Sequence, residues 1–362
     1  MATRTLGVVG AGTMGAGIAQ LALQCGYSVK LHDPFPEALT KGLDRVKKGL
    51  EKGVFRRKLT QEEADEALGR LSSAADLKSV CDCDILVEAI IEDLESKRKL
   101  FRDLDSLAAP EKILGTNTSS LSVGAVAENL THPERVVGIH FFNPPVVMKL
   151  VEIVRHREVS DECFRGAWDL AAALGRTPVE VKDTAGFLVN RVVRSYYLVA
   201  QRLAAEGAGT FAQIDSAVKK IGEVPMGPFE LMDFIGLEVN LKISRTVYEG
   251  LGRPERLKPH AIQEAVVASG AYGRKTGKGF YLYGENASGG RENPDALGHL
   301  PKQNAPLDAE ILWGRIMSAI CDEADIVVSE GVASEEGVDT AVRLAMNFPQ
   351  GPFEWKKRAA RA

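Results

Sequence analysis

Residues 6–33, LGVVGAGTMGAGIAQLALQCGYSVKLHD, restrict what this chain can fold into more than any other stretch. Leu6 to Val9 is a short apolar run of the kind that forms a strand buried on both faces. It leads into Gly10-Ala11-Gly12-Thr13-Met14-Gly15, after which Ile18, Leu21 and Ala22 recur at helical spacing. Gly26 stands where that helix should stop, and Tyr27 to His32 reads as a second strand closed by Asp33. Each glycine has a geometric task in such a unit: Gly10 makes the tight turn, Gly12 admits a pyrophosphate to the backbone, and Gly15 lets the helix pack closely on the strand. Thr13 and Met14 open the helix, whose free N–H groups and partial positive charge favour phosphates. Asp33 falls where its carboxylate can take both hydroxyls of an adenosine ribose, and a 2′-phosphate there would meet a like charge. The unit therefore predicts an α/β dinucleotide-binding domain that uses NAD rather than NADP.

A chain of 362 residues is too long for one ordinary core, so two or three domains are expected. A net charge of −4 gives no reason to expect a nucleic acid or membrane partner, and no apolar run is long enough to span a bilayer. The first strand begins close to Met1 and leaves no room for a signal peptide, so a cytoplasmic location is expected. The five cysteines (25, 81, 83, 163 and 321) form no C-x-x-C pair and have no histidine at ligand spacing. They read as reduced packing residues, and no metal site is expected.

The segment from Glu37 to Leu71 has a helical pattern with Leu39, Leu43, Val46 and Leu50 on one stripe. Its other face carries Lys41, Arg45, Lys47, Lys48 and Lys52, followed by Arg56, Arg57 and Lys58. This is either a solvated face or a dock for an anionic handle. Asp84 to Ala89 and Ile113 to Thr116 are further buried-strand runs. Loops at the carboxyl ends of parallel strands line the ligand crevice, and Glu92, Lys97 and Ser119 fall on or just beyond such loops. Arg135 to Phe142 and Leu150 to Val154 give two more strands, with His140 near the end of one and Glu152 central in the other. A buried glutamate is rare unless paired. Glu152 accepting from one imidazole nitrogen of His140 would leave the other nitrogen to act as a base.

From Thr184 the strands give way to long helical patterns. Asn190 stands among apolar neighbours, where its amide needs either a structural bond or a ligand. An internal repeat follows at a constant offset of 124: Asn190-Arg191 aligns with Gly314-Arg315, Glu206-Gly207 with Glu330-Gly331, Asp215 with Asp339, and Pro225 to Glu230 with Pro349 to Glu354. A constant offset over this span argues duplication of one helical unit. The expected organisation is a nucleotide-binding domain over 1–183 with a helical excursion at 37–71, an all-α domain over 184–283, a linker over 284–306, and a second, degenerate copy over 307–362.

In order along the chain, GAGTMGAGIAQ, LVEAIIEDLESK, TNTSSL, HFFNPPVVMKLVEIV, DTAGFLVNR, VPMGPFELMD and GRKTGKGFY resemble the 3-hydroxyacyl-CoA dehydrogenases, including the 3-hydroxybutyryl-CoA type, over nearly the whole length. The resemblance implies a Rossmann-type domain followed by an all-α domain, and reversible, NAD-dependent oxidation of a (3S)-3-hydroxyacyl-CoA to the 3-oxoacyl-CoA in fatty-acid β-oxidation or short-chain acyl-CoA metabolism. It further implies His140 as general base with Glu152 as its partner, and Ser119 and Asn190 on the substrate oxygen or holding the catalytic group. Asp33, Glu92, Lys97, Ser119, Asn143 and Lys275 are implied as NAD contacts beside the glycine loop, and Lys52 and Arg56 as CoA contacts. Ala185 replaces a proline often found before the Gly-Phe pair, a departure that touches no polar catalytic group. The duplicated helical unit also occurs in relatives similar to 3-hydroxyadipyl-CoA dehydrogenases, which leaves the acyl group open. A free 3-hydroxy-acid or gulonate-type dehydrogenase is the alternative enzyme, and an NAD-binding sensor or structural protein is the alternative outside enzymes. Short relatives use one helical unit as a dimer interface, so the chain is expected either as a homodimer or as a monomer with a pseudo-dimeric helical domain.

Overall fold

The computed structural model describes residues 4–284, 290–301 and 307–360. The chain divides into two compact units, Met1–Asp183 and Thr184–Ala362. The first is built on an eight-stranded sheet: β1 (Thr5–Val9), β2 (Ser28–His32), β3 (Leu71–Ser73), β4 (Ile85–Glu88), β5 (Ile113–Thr116), β6 (Val136–Phe141), β7 (Leu150–Arg155) and β8 (Thr177–Lys182). Their order is β3-β2-β1-β4-β5-β6-β7-β8, and every neighbouring pair is parallel except β6 and β7. The first six strands have the doubly wound order in which the crevice opens between β1 and β4. Helices cover the sheet, so its strands read as near-continuous apolar runs, and Leu6, Val8, Leu31, Val87, Val137 and Ile139 belong to one buried core.

Turn geometry fixes the first βαβ unit. Gly10 has φ +106°, which favours glycine, and a Cβ added at Gly15 would lie 1.8 Å from the Gly10 carbonyl oxygen. The excursion expected as one helical pattern over 37–71 is two helices, Pro36–Phe55 and Gln61–Gly69, followed by β3. Arg57 at φ +55° ends the first. Thr60 starts the second, its hydroxyl accepting from the Glu63 N–H while the Glu63 carboxylate accepts from the Thr60 N–H.

The second unit is helical and carries the repeat in its backbone as well as its sequence. Helices Phe211–Gly222 and Glu335–Met346 stand at the offset of 124, as do Pro228–Ile235 and Pro352–Ala359. Glu223 and Asn347, again 124 apart, both end a helix in the left-handed region, at φ 53° and 52°. Asp215 accepts from the Phe229 N–H at 3.0 Å, and its counterpart Asp339 accepts from Phe353 at 2.8 Å. Burial pushes the Asp215 carboxyl up to about 7, against the lowering effect of the donors that surround it. The two copies pack on each other through reciprocal pairs: Arg191 of the first donates to Glu330 of the second, and Arg315 of the second to Glu206 of the first. That exchange is the signature of an isologous, two-fold contact, here made within one chain.

Of the stretch expected as a linker, residues 285–289 and 302–306 lie outside the described residues, and the remainder is structured. Arg291–Glu292 pairs antiparallel with Tyr281–Leu282, and buried Asn293 donates to the Gly279 carbonyl at 2.8 Å. Backbone pairing and a buried amide hold this segment onto the helical unit, which a reading of its Gly, Asn and Pro content could not show.

The reciprocal pairs differ in burial. Arg191 and its additional partner Glu323, 2.7 Å apart, are each 1% exposed, whereas Arg315 and Glu206 are 43% and 50% exposed. Arg191→Met should therefore cost about 3 kcal/mol, because it strips a buried carboxylate of a partner, while Arg315→Met should cost less than about 1 kcal/mol. Urea unfolding of the two variants checks this, and equal losses would contradict it.

Candidate active site

The carboxyl ends of β1, β2, β4, β5 and β6 bring together Gly10, Asp33, Glu92, Ser119, His140 and Asn143, each on or just past the strand that carries it. Asp33 braces the glycine turn, with Oδ2 accepting from the Ala11 N–H at 2.9 Å and Oδ1 from the Phe35 N–H at 3.0 Å. The helix Thr13–Gln24 begins at Gly12 with no side-chain cap and no acidic residue in its first turn. A Cβ built at Gly12 would meet no atom within 4 Å. Uncapped N–H groups beside open space suit a pyrophosphate, so the residues present fit a dinucleotide. Thr13 and Met14 stand in that first turn.

His140 and Glu152 are directly opposite one another in the β6–β7 register, with His140 Nδ1 and Glu152 Oε2 2.6 Å apart. Glu152 is fully buried and His140 is 5% exposed. Antiparallel residues in direct register project on the same face, so the strand pairing itself aims the acid at the imidazole. Nδ1 is the ring nitrogen held by the carboxylate. Asn117 Oδ1 accepts from the Phe141 N–H at 2.8 Å and ties the end of β5 to the end of β6.

A second set of charges orders the loops after β4 and β5. Glu88, 1% exposed, accepts from Lys97 at 2.5 Å, from Thr116 Oγ1 at 2.6 Å and from the Ile90 N–H at 2.7 Å. Lys97 also lies 3.5 Å from Glu92. Thr118 Oγ1 and the N–H groups of Ser119 and Ser120 donate to Glu92 at 2.7, 2.9 and 3.1 Å. Burial opposes the charged form of Glu92, but Lys97 and these donors outweigh it and hold the carboxyl below its ordinary value. Glu92 is thus an anion that shapes the Ser119 loop.

Lys97, expected as a cofactor contact, lies in this charge cluster. Lys97 is 1% exposed and directs its ammonium to Glu88 and Glu92, because two carboxylates in a low-dielectric setting outcompete solvent for it. Lys275, in the helical unit, pairs with Glu238. Lys52 and Arg56 lie exposed at the end of the helix Pro36–Phe55, and neither they nor Lys41, Lys47, Lys48, Arg57 or Lys58 forms an ion pair among the described residues. Asn190 stands in the helical unit, in the short helix Val189–Val192.

Three residues escaped the sequence reading. Glu88 carried a signal, a carboxylate inside an apolar strand run, and such a group needs partners. Asn117 and Asp183 carried none. Asp183 accepts from Ser122 Oγ and from the Val123 and Gly124 N–H groups, pinning the last residue of the first unit to a helix start 60 residues earlier, a contact visible only in three dimensions.

Residues 5–184 match the NAD binding domain of 3-hydroxyacyl-CoA dehydrogenase, and residues 186–283 and 313–360 match its C-terminal domain. The chain is 33% identical to 3-hydroxyadipyl-CoA dehydrogenase of Escherichia coli, over 97% of this chain and 90% of that one. It is 40% identical to a probable 3-hydroxybutyryl-CoA dehydrogenase of Deinococcus radiodurans, over 76% of this chain and 99% of the relative. The crystal structure of 3-hydroxybutyryl-CoA dehydrogenase from Escherichia coli superposes with a TM-score of 0.90 at 32% identity, covering 99% of this chain and 92% of that one. A dinucleotide cradle, an acid-braced imidazole and matches running nearly end to end place this chain in the 3-hydroxyacyl-CoA dehydrogenase family, as an NAD-dependent oxidoreductase.

Proposed function

We propose that the chain interconverts a (3S)-3-hydroxyacyl-CoA and the 3-oxoacyl-CoA, with His140 as general base and Glu152 as its partner. The observation that supports this most directly is the buried 2.6 Å contact between His140 Nδ1 and Glu152. Oxidising a secondary alcohol requires loss of the hydroxyl proton as the carbon is oxidised, and imidazole accepts a proton at cellular pH. Glu152 fixes the ring's orientation and stabilises the imidazolium once the proton has moved. NAD, when bound, supplies the two-electron redox chemistry.

Gly10, Gly12, Thr13, Met14 and Gly15 cradle the pyrophosphate in this reading and Asp33 takes the ribose hydroxyls, while Glu92, Lys97, Ser119, Asn143 and Lys275 complete the cofactor contacts. Lys97 also balances the charge of Glu92. Ser119 and Asn190 hydrogen-bond the substrate oxygen. Lys52 and Arg56 meet the phosphates of CoA, a role supported by their exposure and by a run of cations without carboxylate partners among the described residues. That run favours a CoA ester over a free hydroxy acid, which would need an arginine clamp at the site instead. A dicarboxylic acyl group is the second reading, favoured by the end-to-end match to a 3-hydroxyadipyl-CoA dehydrogenase. The proposal includes a cytoplasmic location, which free thiols at all five cysteines support. It also includes a monomer, because the reciprocal Arg–Glu pairs occupy within one chain the face that a symmetric dimer would use.

His140→Ala should lower kcat by about two to four orders of magnitude and leave NADH affinity nearly unchanged, and full activity would remove His140 from the mechanism. Gly12→Ala should fold with nearly unchanged Tm, since its methyl meets no protein atom, yet bind NADH at least about tenfold more weakly. Fluorescence titration reads that loss, and wild-type affinity would place the pyrophosphate elsewhere. Sedimentation should show a monomer at micromolar concentration, and a tight dimer would refute the pseudo-dimeric reading. A kcat/KM series over 3-oxoacyl-CoA chain lengths, with one dicarboxylic member, decides the acyl group.

A further inference from the structure

Arg194 is 2% exposed and has no carboxylate partner among the described residues. Its donors go to neutral acceptors: Nε to the Asn190 carbonyl at 2.9 Å, and Nη1 to the Asn240 carbonyl at 3.2 Å and Ser244 Oγ at 3.1 Å. The guanidinium also sits over the Tyr197 ring, 4.7 Å from its centroid. Burial lowers its pKa to about 10, so it is still charged at neutral pH. A buried cation held only by dipoles is costly, and stability alone would be served as well by an apolar side chain of similar volume.

The internal repeat supplies a comparison within the same molecule. In the first copy the helix breaks at Val193, between Val189–Val192 and Arg194–Ala205, and the Tyr196 N–H reaches back only three residues, to Val193. The second copy has Gly314 in place of Asn190 and Ser318 in place of Arg194, and there the helix Ala309–Ser329 runs through the same span without interruption. Asparagine, arginine and the break occur together in one copy and are all missing from the other. A side chain inserted at a helix kink fixes the direction in which the preceding turn points.

We infer that Arg194 is a positioning residue for the dehydrogenase reaction: its guanidinium holds the Asn190 carbonyl across the break and so sets where the Asn190 amide is presented to substrate. The inference rests on the reading that Asn190 contacts the substrate oxygen. A displacement on the order of 1 Å at such a group costs about 10- to 100-fold in rate. The buried charge contributes placement rather than stability.

The test uses the full chain with acetoacetyl-CoA and NADH. Arg194→Met should lower kcat by about 10- to 100-fold, with NADH affinity within about twofold of wild type and Tm unchanged or raised. Arg194→Lys keeps the charge and most of the volume but loses the forked donor, and should recover only part of the rate. It also carries the test should the methionine variant fail to fold. In an Asn190→Ala background, Arg194→Met should change kcat by less than about twofold, because a residue acting through Asn190 has nothing left to place. Wild-type kcat in a folded Arg194→Met protein, or losses that multiply in the double variant, would overturn the inference. Wild-type kcat in Asn190→Ala alone would instead overturn the reading on which it rests.

Discussion

Glu152 meets His140 because β7 runs against β6 in a sheet whose other neighbours are all parallel. Antiparallel register sets the two residues directly opposite, on one face, and a slip of one residue would turn one of them to the other side of the sheet. The energetics reinforce the geometry. A carboxylate at zero exposure needs a donor, and an imidazole only 5% exposed needs an acceptor, so each group answers the desolvation of the other. Flanking apolar residues such as Ile139, Phe141, Val151 and Ile153 hold the register through core packing. Both side chains are thus placed by paired strands rather than by loops.

Buried charge recurs wherever this molecule has to place something. Glu88 and Lys97 order the loops that carry Glu92 and Ser119, and the donors gathered by Glu92 shape the loop between β5 and the next helix. In the helical unit, Arg191 and Glu323 lock the two copies in register, with Arg256 closing on Glu323 from the other side at 2.6 Å. Such groups give up stability that an apolar core would supply, and in return they specify one arrangement among several compact ones.

Duplication followed by divergence explains the form of the helical unit. The helix bounds, the left-handed residues Glu223 and Asn347, and the aspartates that receive the following helix's N–H groups all persist at one offset. The differences include polar groups. Glu323 stands where the first copy has Val199, and Gly314 where it has Asn190. The second copy keeps the backbone scaffold and the contact face while losing the amide, consistent with a role in covering its twin.

Much of this was legible in the residues alone. Apolar runs, glycine spacing and the terminal acid determine the first βαβ unit, because the chemistry of a tight turn and a close helix contact leaves few other residues usable at Gly10 and Gly15. The pairing of His140 with Glu152 was also readable, since two buried polar groups so near in sequence have few other partners. The repeat was readable because duplication preserves an offset even where side chains change. Tertiary structure alone decided that Lys97 turns inward to Glu88, that Asp183 caps a helix 60 residues away, that part of the Gly- and Pro-rich stretch packs as strand and helix, and that the helix carrying Asn190 breaks at Val193. The physical reason is common to all four: each depends on which polar groups become neighbours after the apolar surfaces have closed, and local spacing does not encode the partner of a group that finds it across the fold.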